Sequence, residues 1–411
     1  ELPPPFALGF HGDLYLRRDC ARHGSKEVLF WKNAGLYRPI PASGDELLPD
    51  GLLDVFDPRL DSFITTLAID PTSRCNLSCP TCFSQALSPE PPSQGRDPTI
   101  QELLARIPDY RGRKRRPGLT LLGGESTLRE DLPELIAAVI REKGLMPRLC
   151  SNGVLLGSGD LLWRLQRAGL RWIILQFDGL RPESSLSLRG VDLTREKNEL
   201  IDKIAAHGMM IHLAVMVQKG ANDLEVGDIL RFAASNRKIH RVSFYPRSAT
   251  GRSGDGPRGT EATHVEDILR AIELGTQGRI RREDILGTKA LAGRLFKLTR
   301  LAMFRPRPCL FPFLLLRRGG DPISCHRLLT LRGILAHPGG FLSLLRSGLG
   351  LLDQYEGRFS SDFLFVSIEK FYDDHAFLDD AARNCHHLYL TPAGVRPFCV
   401  YNTCWRHRPH V

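Results

Sequence analysis

The chain has 411 residues, 42% of them hydrophobic and 25% charged, which places it among folded globular proteins and excludes a disordered or collagen-like chain. Its 56 basic residues outnumber 46 acidic ones, and the net charge of +10 favours an anionic partner: nucleic acid, a phosphate-bearing ligand or a lipid headgroup surface. No apolar run approaches the ~20 residues of a membrane span. No secretory leader is visible, and the ten cysteines are too unevenly spaced for a disulfide framework, so the chain reads as cytoplasmic with metal-binding or catalytic thiols.

Residues 1–60 are rich in Pro and Gly and read as a small irregular N-terminal module. A regular beat follows. FITTLAID (63–70) is a short β-branched strand stopped by Pro71, and TIQELLARI (99–107) is a helix with Thr99 as N-cap. LTLLGG (119–124), PRLCSNG (147–153), RWIILQFDG (171–179), MMIHLAVMVQ (209–218) and HRVSFYP (240–246) are strands. Helices at 132–144, 159–169, around 193–207 and roughly 223–235 separate them, and Gly144 stops the first of these. Six βα units with short loops predict an α/β fold, a parallel sheet covered by helices over residues 61–250. Chemistry in such folds sits at the C-terminal ends of the strands. The Gly/Ser/Arg-rich stretch 247–263 closes this unit, and residues 251–411 form a third region with five of the ten cysteines.

Cys75, Cys79 and Cys82 form C-x3-C-x2-C just after the first barrel strand. Three thiolates can hold three irons of a [4Fe–4S] cluster and leave the fourth open to a small chelating molecule. The competing reading is half of a zinc site, but no histidine lies in the loop. This motif at the first strand of a βα barrel resembles the radical S-adenosylmethionine (SAM) enzymes. The resemblance implies a partial (βα)6 barrel whose open iron binds SAM; reductive cleavage of the sulfonium C–S bond then yields a 5′-deoxyadenosyl radical that abstracts hydrogen from an unactivated carbon. The family's aromatic residue before the third cysteine is replaced by Thr81, and Phe83 follows instead as a cofactor contact. Gly123, Gly124 and Glu125 end the second strand where the family carries Gly-Gly-Glu for the SAM amino group; the glycines would let backbone approach the ligand and the carboxylate pair with an ammonium. The family's following proline is Ser126 here. Ser151, Asn152, Gln176 and Asp178, at the ends of the third and fourth strands, are candidates for the SAM carboxylate, the ribose or the substrate; capping of the following loops is the alternative.

LQFDGL (175–180), CNLSCPTCFS (75–84) and GVRPFCVYN (394–402) narrow the resemblance to a branch containing archaeal tetraether lipid synthase and radical SAM pterin methylases. That branch holds auxiliary iron–sulfur centres with C-terminal cysteines. It implies one auxiliary [4Fe–4S] cluster on Cys309, Cys385, Cys399 and Cys404, with Cys325, beside His326, as the alternate ligand; Cys150 reads as a small core residue. Relatives carry a rubredoxin-like N-terminal iron site, but of its cysteines only Cys20 is present, so residues 1–60 read as a degenerate version without metal; His11, Cys20 and His23 are only a partial set.

Arginines interleave with apolar runs at 294–318 and 328–352. An apolar tunnel and Arg-bound headgroups suit a lipid, and such segments can lie on a membrane surface. The expectation is radical C–C bond formation on a lipid chain, with methylation of a pterin-like molecule as the alternative and a ferredoxin or flavodoxin as electron donor. RGRKRR (111–116) could grip RNA, but only Tyr110 accompanies it as a stacking aromatic, which argues against nucleic acid.

Overall fold

The computed structural model describes residues 6–8, 12–21, 24–34, 64–84, 86, 96–113, 116–254, 261–299, 307–318, 321–339, 342, 361–373, 382 and 385–406. All six expected barrel strands form. With three N-terminal strands counted first, they are β4 (Thr66–Ile69), β5 (Gly118–Leu121), β6 (Pro147–Ser151), β7 (Trp172–Gln176), β8 (Met210–Val217) and β9 (Ile239–Pro246), parallel and adjacent in chain order. Right-handed crossovers through helices bring each strand back beside its predecessor, which is why the order in space repeats the order in sequence. The local signals behave as read. Thr99 Oγ1 accepts from the Glu102 amide at 3.2 Å while Glu102 accepts the Thr99 amide at 2.7 Å, a reciprocal cap on the helix Ile100–Arg106. Gly144 ends its helix at φ 65°, a left-handed conformation that suits glycine.

The strands have two unlike faces. Leu67, Leu119, Leu149, Ile173, Leu213 and Val242 point to the helices and are fully buried in the main core. The residues between them point to the concave side and are largely polar: Thr120, Arg148, Gln176, His212, Arg241 and Ser243. Period-two alternation thus separates a dry helix-facing core from a polar lumen.

The C-terminal region is built into the same sheet. β10 (Leu310–Arg318), β11 (Asp321–Ser324) and β12 (Phe363–Glu369) extend it past β9, with β12 parallel to β9. β13 (His387–Thr391) lies parallel to β4 at the opposite end, followed by β14 (Gly394–Pro397). Both edges of the six-stranded unit are thereby covered, which removes the exposed pairing groups of an open sheet.

Two expectations need correction. Residues 310–318, read as part of an interfacial lipid-binding stretch, are a sheet strand with Phe311, Phe313 and Leu315 in the main core; alternation with buried neighbours, not amphipathic helical spacing, governs that run. Residues 300–306, 340–341 and 343–352 of the same stretches lie outside the described residues, and no helix among those described is long and apolar enough to cross a membrane. The N-terminal module is regular: β1 (Phe6–Leu8), β2 (Leu14–Cys20) and β3 (Gly24–Trp31) form an antiparallel sheet. Its Leu14, Leu16, Phe30 and Trp31 join the main core, and Trp31 packs against Phe311 with centroids 5.8 Å apart. Cys20 pairs in register with Gly24; His11 and His23 lie outside the described residues. The basic run after the first barrel helix is locally satisfied: Arg111 pairs with Asp109 at 2.6 Å, Arg113 lies over Tyr110 and Arg116 donates to the Gly144 carbonyl.

Candidate active site

The cysteine loop leaves the C-terminal end of β4 and is held from three sides. On the β5 side, Gly124 N donates to Thr72 O at 2.9 Å and Glu125 N to Arg74 O at 2.7 Å. A Cβ on Gly124 would sit 1.9 Å from Arg74 O, and one on Gly123, at φ +91°, 2.2 Å from Thr72 O. The close passage of the segment leading to Cys75 therefore requires both glycines. On the β9 side, Arg252 donates to Cys79 O at 3.0 Å and Ala86 O at 2.7 Å, and its amide donates to Cys82 O at 2.9 Å. On the β6 side, Asn152 Nδ2 donates to Asn76 Oδ1 at 2.7 Å and lies 3.9 Å from Cys75 Sγ.

The three thiols sense one another and differ in environment. Burial, aided by the charges of Glu125, Cys79 and Cys82, pushes Cys75 up to about 11 despite the Leu77 amide at 3.5 Å. Burial also raises Cys79, against the opposing charge of Arg189. For Cys82 burial is the largest influence, but it is outweighed by the Ser84 hydroxyl at 3.3 Å, the Ala86 and Ser84 amides and Arg252, and the thiol ends below its ordinary value. Donors aimed at sulfur and cations beside it are what thiolates in a cluster-bearing loop require. Among the described residues no three His, Cys, Asp or Glu side chains converge as ligands of one ion do. The donor set of the loop fits an iron–sulfur cluster carried by three cysteines.

The neighbouring carboxylates look inward. Glu125 is 1% exposed and accepts from Thr127 Oγ1 at 2.6 Å, Ser151 Oγ at 2.8 Å and Asn152 N at 2.7 Å. It thus orients Ser151 and Asn152, where the sequence put it against an ammonium. Asp178, 3% exposed, holds Arg189 through two bonds of 2.5 and 2.8 Å and also accepts from Gln176 Nε2. Gln176 Oε1 in turn accepts from Lys197 Nζ at 2.7 Å, and burial lowers Lys197 to about 8. Arg189, Lys197 and Arg252 were missed because each reaches the site from a helix or a loop distant in sequence. Phe83 is half-buried against Phe398, centroids 6.3 Å apart, with Arg406 over its ring. Arg406 also pairs with Asp70 at 2.7 Å, tying the C-terminal segment to the end of β4.

The C-terminal cysteines divide. Cys309, Cys385 and Cys399 line a cavity of about 40 Å³ together with Arg307, Lys370 and His387. Burial raises Cys309 to about 11, and raises Cys399 and Cys385 as well, with mutual repulsion contributing to Cys399 and Cys309. Cys404 is not among the residues lining this cavity. Cys325 sits apart, packed with Leu316, Leu328 and Phe363, and burial alone pushes it up to about 12. Like Cys404, it lies outside the cavity that Cys309, Cys385 and Cys399 line. Cys150, expected in the core, is half-exposed to the lumen, with its sulfur raised by burial to about 12.

A parallel βα sheet whose first strand delivers three clustered thiols beside a Gly-Gly-Glu turn defines a radical SAM domain. The Radical SAM superfamily model matches residues 69–233, so the chain carries such a domain, and its cofactors are a [4Fe–4S] cluster and S-adenosylmethionine. Among curated proteins the chain is similar to 7,8-dihydro-6-hydroxymethylpterin dimethyltransferase of Methanocaldococcus jannaschii, 31% identical over 70% of this chain and 59% of that protein. It is also similar to the GTP 3′,8-cyclase of Aquifex aeolicus, 32% identical over 52% of this chain and 66% of that protein. A third is the Fe-coproporphyrin III synthase of Methanosarcina barkeri, 33% identical over 49% of this chain and 48% of that protein. The chain spans about half to two thirds of the length of these relatives. Among solved structures, Streptococcus suis SuiB bound to its precursor peptide SuiA aligns with TM-score 0.42 at 21% identity, covering 53% of this chain and 46% of that one. A radical SAM methyltransferase from Sphaerobacter thermophilus aligns with TM-score 0.40 at 15% identity, covering 68% and 75%.

Proposed function

We propose that this protein is a radical SAM enzyme that methylates carbon on a pterin-like heterocycle. The observation that carries the reading is the extent of the similarity to the pterin dimethyltransferase: 70% of the chain, well beyond the matched domain at 69–233. Residues outside that domain build the cavity with Cys309, Cys385 and Cys399 and close both edges of the sheet. In this reading Cys75, Cys79 and Cys82 hold the radical SAM cluster, and Cys309, Cys385 and Cys399 supply three ligands of an auxiliary one. When bound, the cluster and SAM supply one-electron chemistry that abstracts hydrogen from an unactivated carbon.

The chain's own residues position and insulate. Arg252 and the Gly123–Gly124 turn fix the loop, and Glu125 orients Asn152 against Cys75. Arg189 places a cation beside Cys79 while Asp178 keeps that guanidinium in place. Part of the sequence support for the lipid reading falls away, because residues 310–318 are a core strand. The test is anaerobic incubation of reconstituted protein with SAM, dithionite and either 7,8-dihydro-6-hydroxymethylpterin or a total lipid extract, read by mass spectrometry. Methylated pterin is the expected product. Coupled or dehydrogenated lipid with unchanged pterin would overturn the proposal.

A further inference from the structure

The lumen carries a second polar constellation, built by β9 and β12 in the C-terminal half of the sheet. Register pairs Ala214 with Gln176 and Ser243, and Ser243 with Ser367, so Gln176, Ala214, Ser243 and Ser367 form one row across four strands. Two residues further along β12 stands Glu369, which is 6% exposed. Its Oε1 accepts from Ser367 Oγ at 2.7 Å, Arg241 Nη2 at 2.8 Å and Ser243 Oγ at 3.3 Å. Among the described residues Oε2 accepts nothing, although the side chain borders a cavity. With its described bonds on Oε1, the carboxylate has Oε2 left to face the same cavity that Cys309, Cys385 and Cys399 line, where it can accept an N–H donor.

The charge on Glu369 is maintained. Burial opposes it, but Arg241, His387, Ser367 and Arg307 together hold the carboxyl below its usual range. Arg241 is in turn fixed, with its guanidinium over the Phe365 ring at 4.7 Å. Beside the carboxylate runs an aromatic wall. Tyr245, the next lumen-facing residue of β9 after Ser243, stacks on Phe371 with centroids 5.2 Å apart and 15° between planes, and Phe371 stacks on Phe398 at 5.0 Å. Tyr245 feels the Glu369 charge directly. An acceptor for paired N–H groups next to stacked rings suits a flat heterocycle that presents adjacent ring N–H and exocyclic amino donors.

We infer that Glu369, flanked by Tyr245 and Phe371, binds the 2-aminopyrimidin-4-one edge of the substrate, accepting its ring N–H and amino group. This rests on the heterocycle reading above and sharpens it. The edge is common to pterins and to guanine nucleotides, so the geometry specifies the edge and leaves its source to experiment. Across the strands the row reaches Gln176, in the same lumen as Asn152, whose side-chain amide lies 3.9 Å from Cys75 Sγ.

The experiment is anaerobic equilibrium dialysis of the holoenzyme against four probes: 7,8-dihydro-6-hydroxymethylpterin, its lumazine counterpart with oxygen in place of the 2-amino group, GTP and XTP. An amino-bearing probe should bind about 10- to 100-fold more tightly than its oxo counterpart, the range of a charge-assisted hydrogen bond. Glu369→Gln, checked for folding by its melting curve, should remove that preference. Phe371→Ala should weaken both members of a pair alike while keeping their ratio. Preference for GTP over XTP without pterin binding would overturn the pterin reading and leave the Glu369 assignment standing. Pterin binding with no preference over lumazine in the wild-type protein would do the reverse, and this arm does not depend on any variant folding. Binding of none of the probes overturns both.

Discussion

The two cysteine groups of this chain are built on opposite principles. Cys75, Cys79 and Cys82 lie on a loop whose carbonyls are clamped by Arg252 and whose sulfurs receive an amide, a hydroxyl and two guanidinium charges. Cys309, Cys385 and Cys399 come from three separate segments and line one small cavity, where burial raises all three although the Tyr372 amide donates to Cys399 and the Arg307 charge acts on Cys309 and Cys385. A loop motif can position ligands before a cluster arrives, because one short stretch of backbone carries all three. The proposed auxiliary site, assembled from distant segments, would exist only once those segments are packed together, whereas burial resists ionisation at Cys75 and Cys309 alike, each raised to about 11.

The largest effect should come from breaking the first group. Cys79→Ala is expected to abolish reductive SAM cleavage, measured as 5′-deoxyadenosine released under dithionite, while leaving part of the iron bound. Next in size, Cys385→Ala should lower iron from about eight to about four per chain by removing an auxiliary cluster, with SAM cleavage still detectable. Iron content unchanged in Cys385→Ala but reduced in Cys404→Ala would refute the cysteine assignment made from the cavity.

A smaller effect belongs to the clamp. Arg252→Ala deletes two charged hydrogen bonds to loop carbonyls and should cost about 1.5–3 kcal/mol in urea unfolding, with cluster occupancy falling at the first site and holding at the second. Equal loss at both sites would mean that Arg252 serves overall stability only. The smallest concerns Lys197. Burial lowers it to about 8 from an ordinary 10.5, so between those values the unfolded chain binds more protons and stability rises with pH. In the apoprotein the raised thiols pull stability the other way over this range, so the Lys197 contribution is read as a difference: the melting temperature of the wild type relative to Lys197→Met should rise from about pH 8 toward pH 10. A wild-type minus Lys197→Met difference that stays constant across that range would remove the claim.

How much of this was legible in the sequence varied by the kind of signal. The six βα units were readable because each strand is a short β-branched run and each helix has a cap or a glycine stop, as at Thr99 and Gly144. The thiols of C-x3-C-x2-C were readable because all three lie within eight positions. Glu125 was found from its motif, but the sequence did not show that it also accepts from Ser151 and the Asn152 amide, contacts that only the folded chain brings together. The polar lumen left a trace, the alternation in HLAVM, HRVSFYP and VSIEK, that could have flagged His212, Ser243 and Glu369. Arg252 left none, since its clamp on Cys79 O spans 173 positions.

By itself the sequence determined the alternation of strands and helices, the cluster-type spacing of Cys75, Cys79 and Cys82, and the Gly-Gly-Glu run that ends the second strand. These are local properties, written in periodicity, capping and short-range chemistry. Tertiary structure alone decided which C-terminal thiols share a cavity, that Cys325 packs with Leu316 and Phe363, and that the bonds of Glu369 fall on Oε1. Those outcomes depend on sheet register and on the closure of both edges by β12 and β13, where a shift of one residue would turn every lumen side chain into the core.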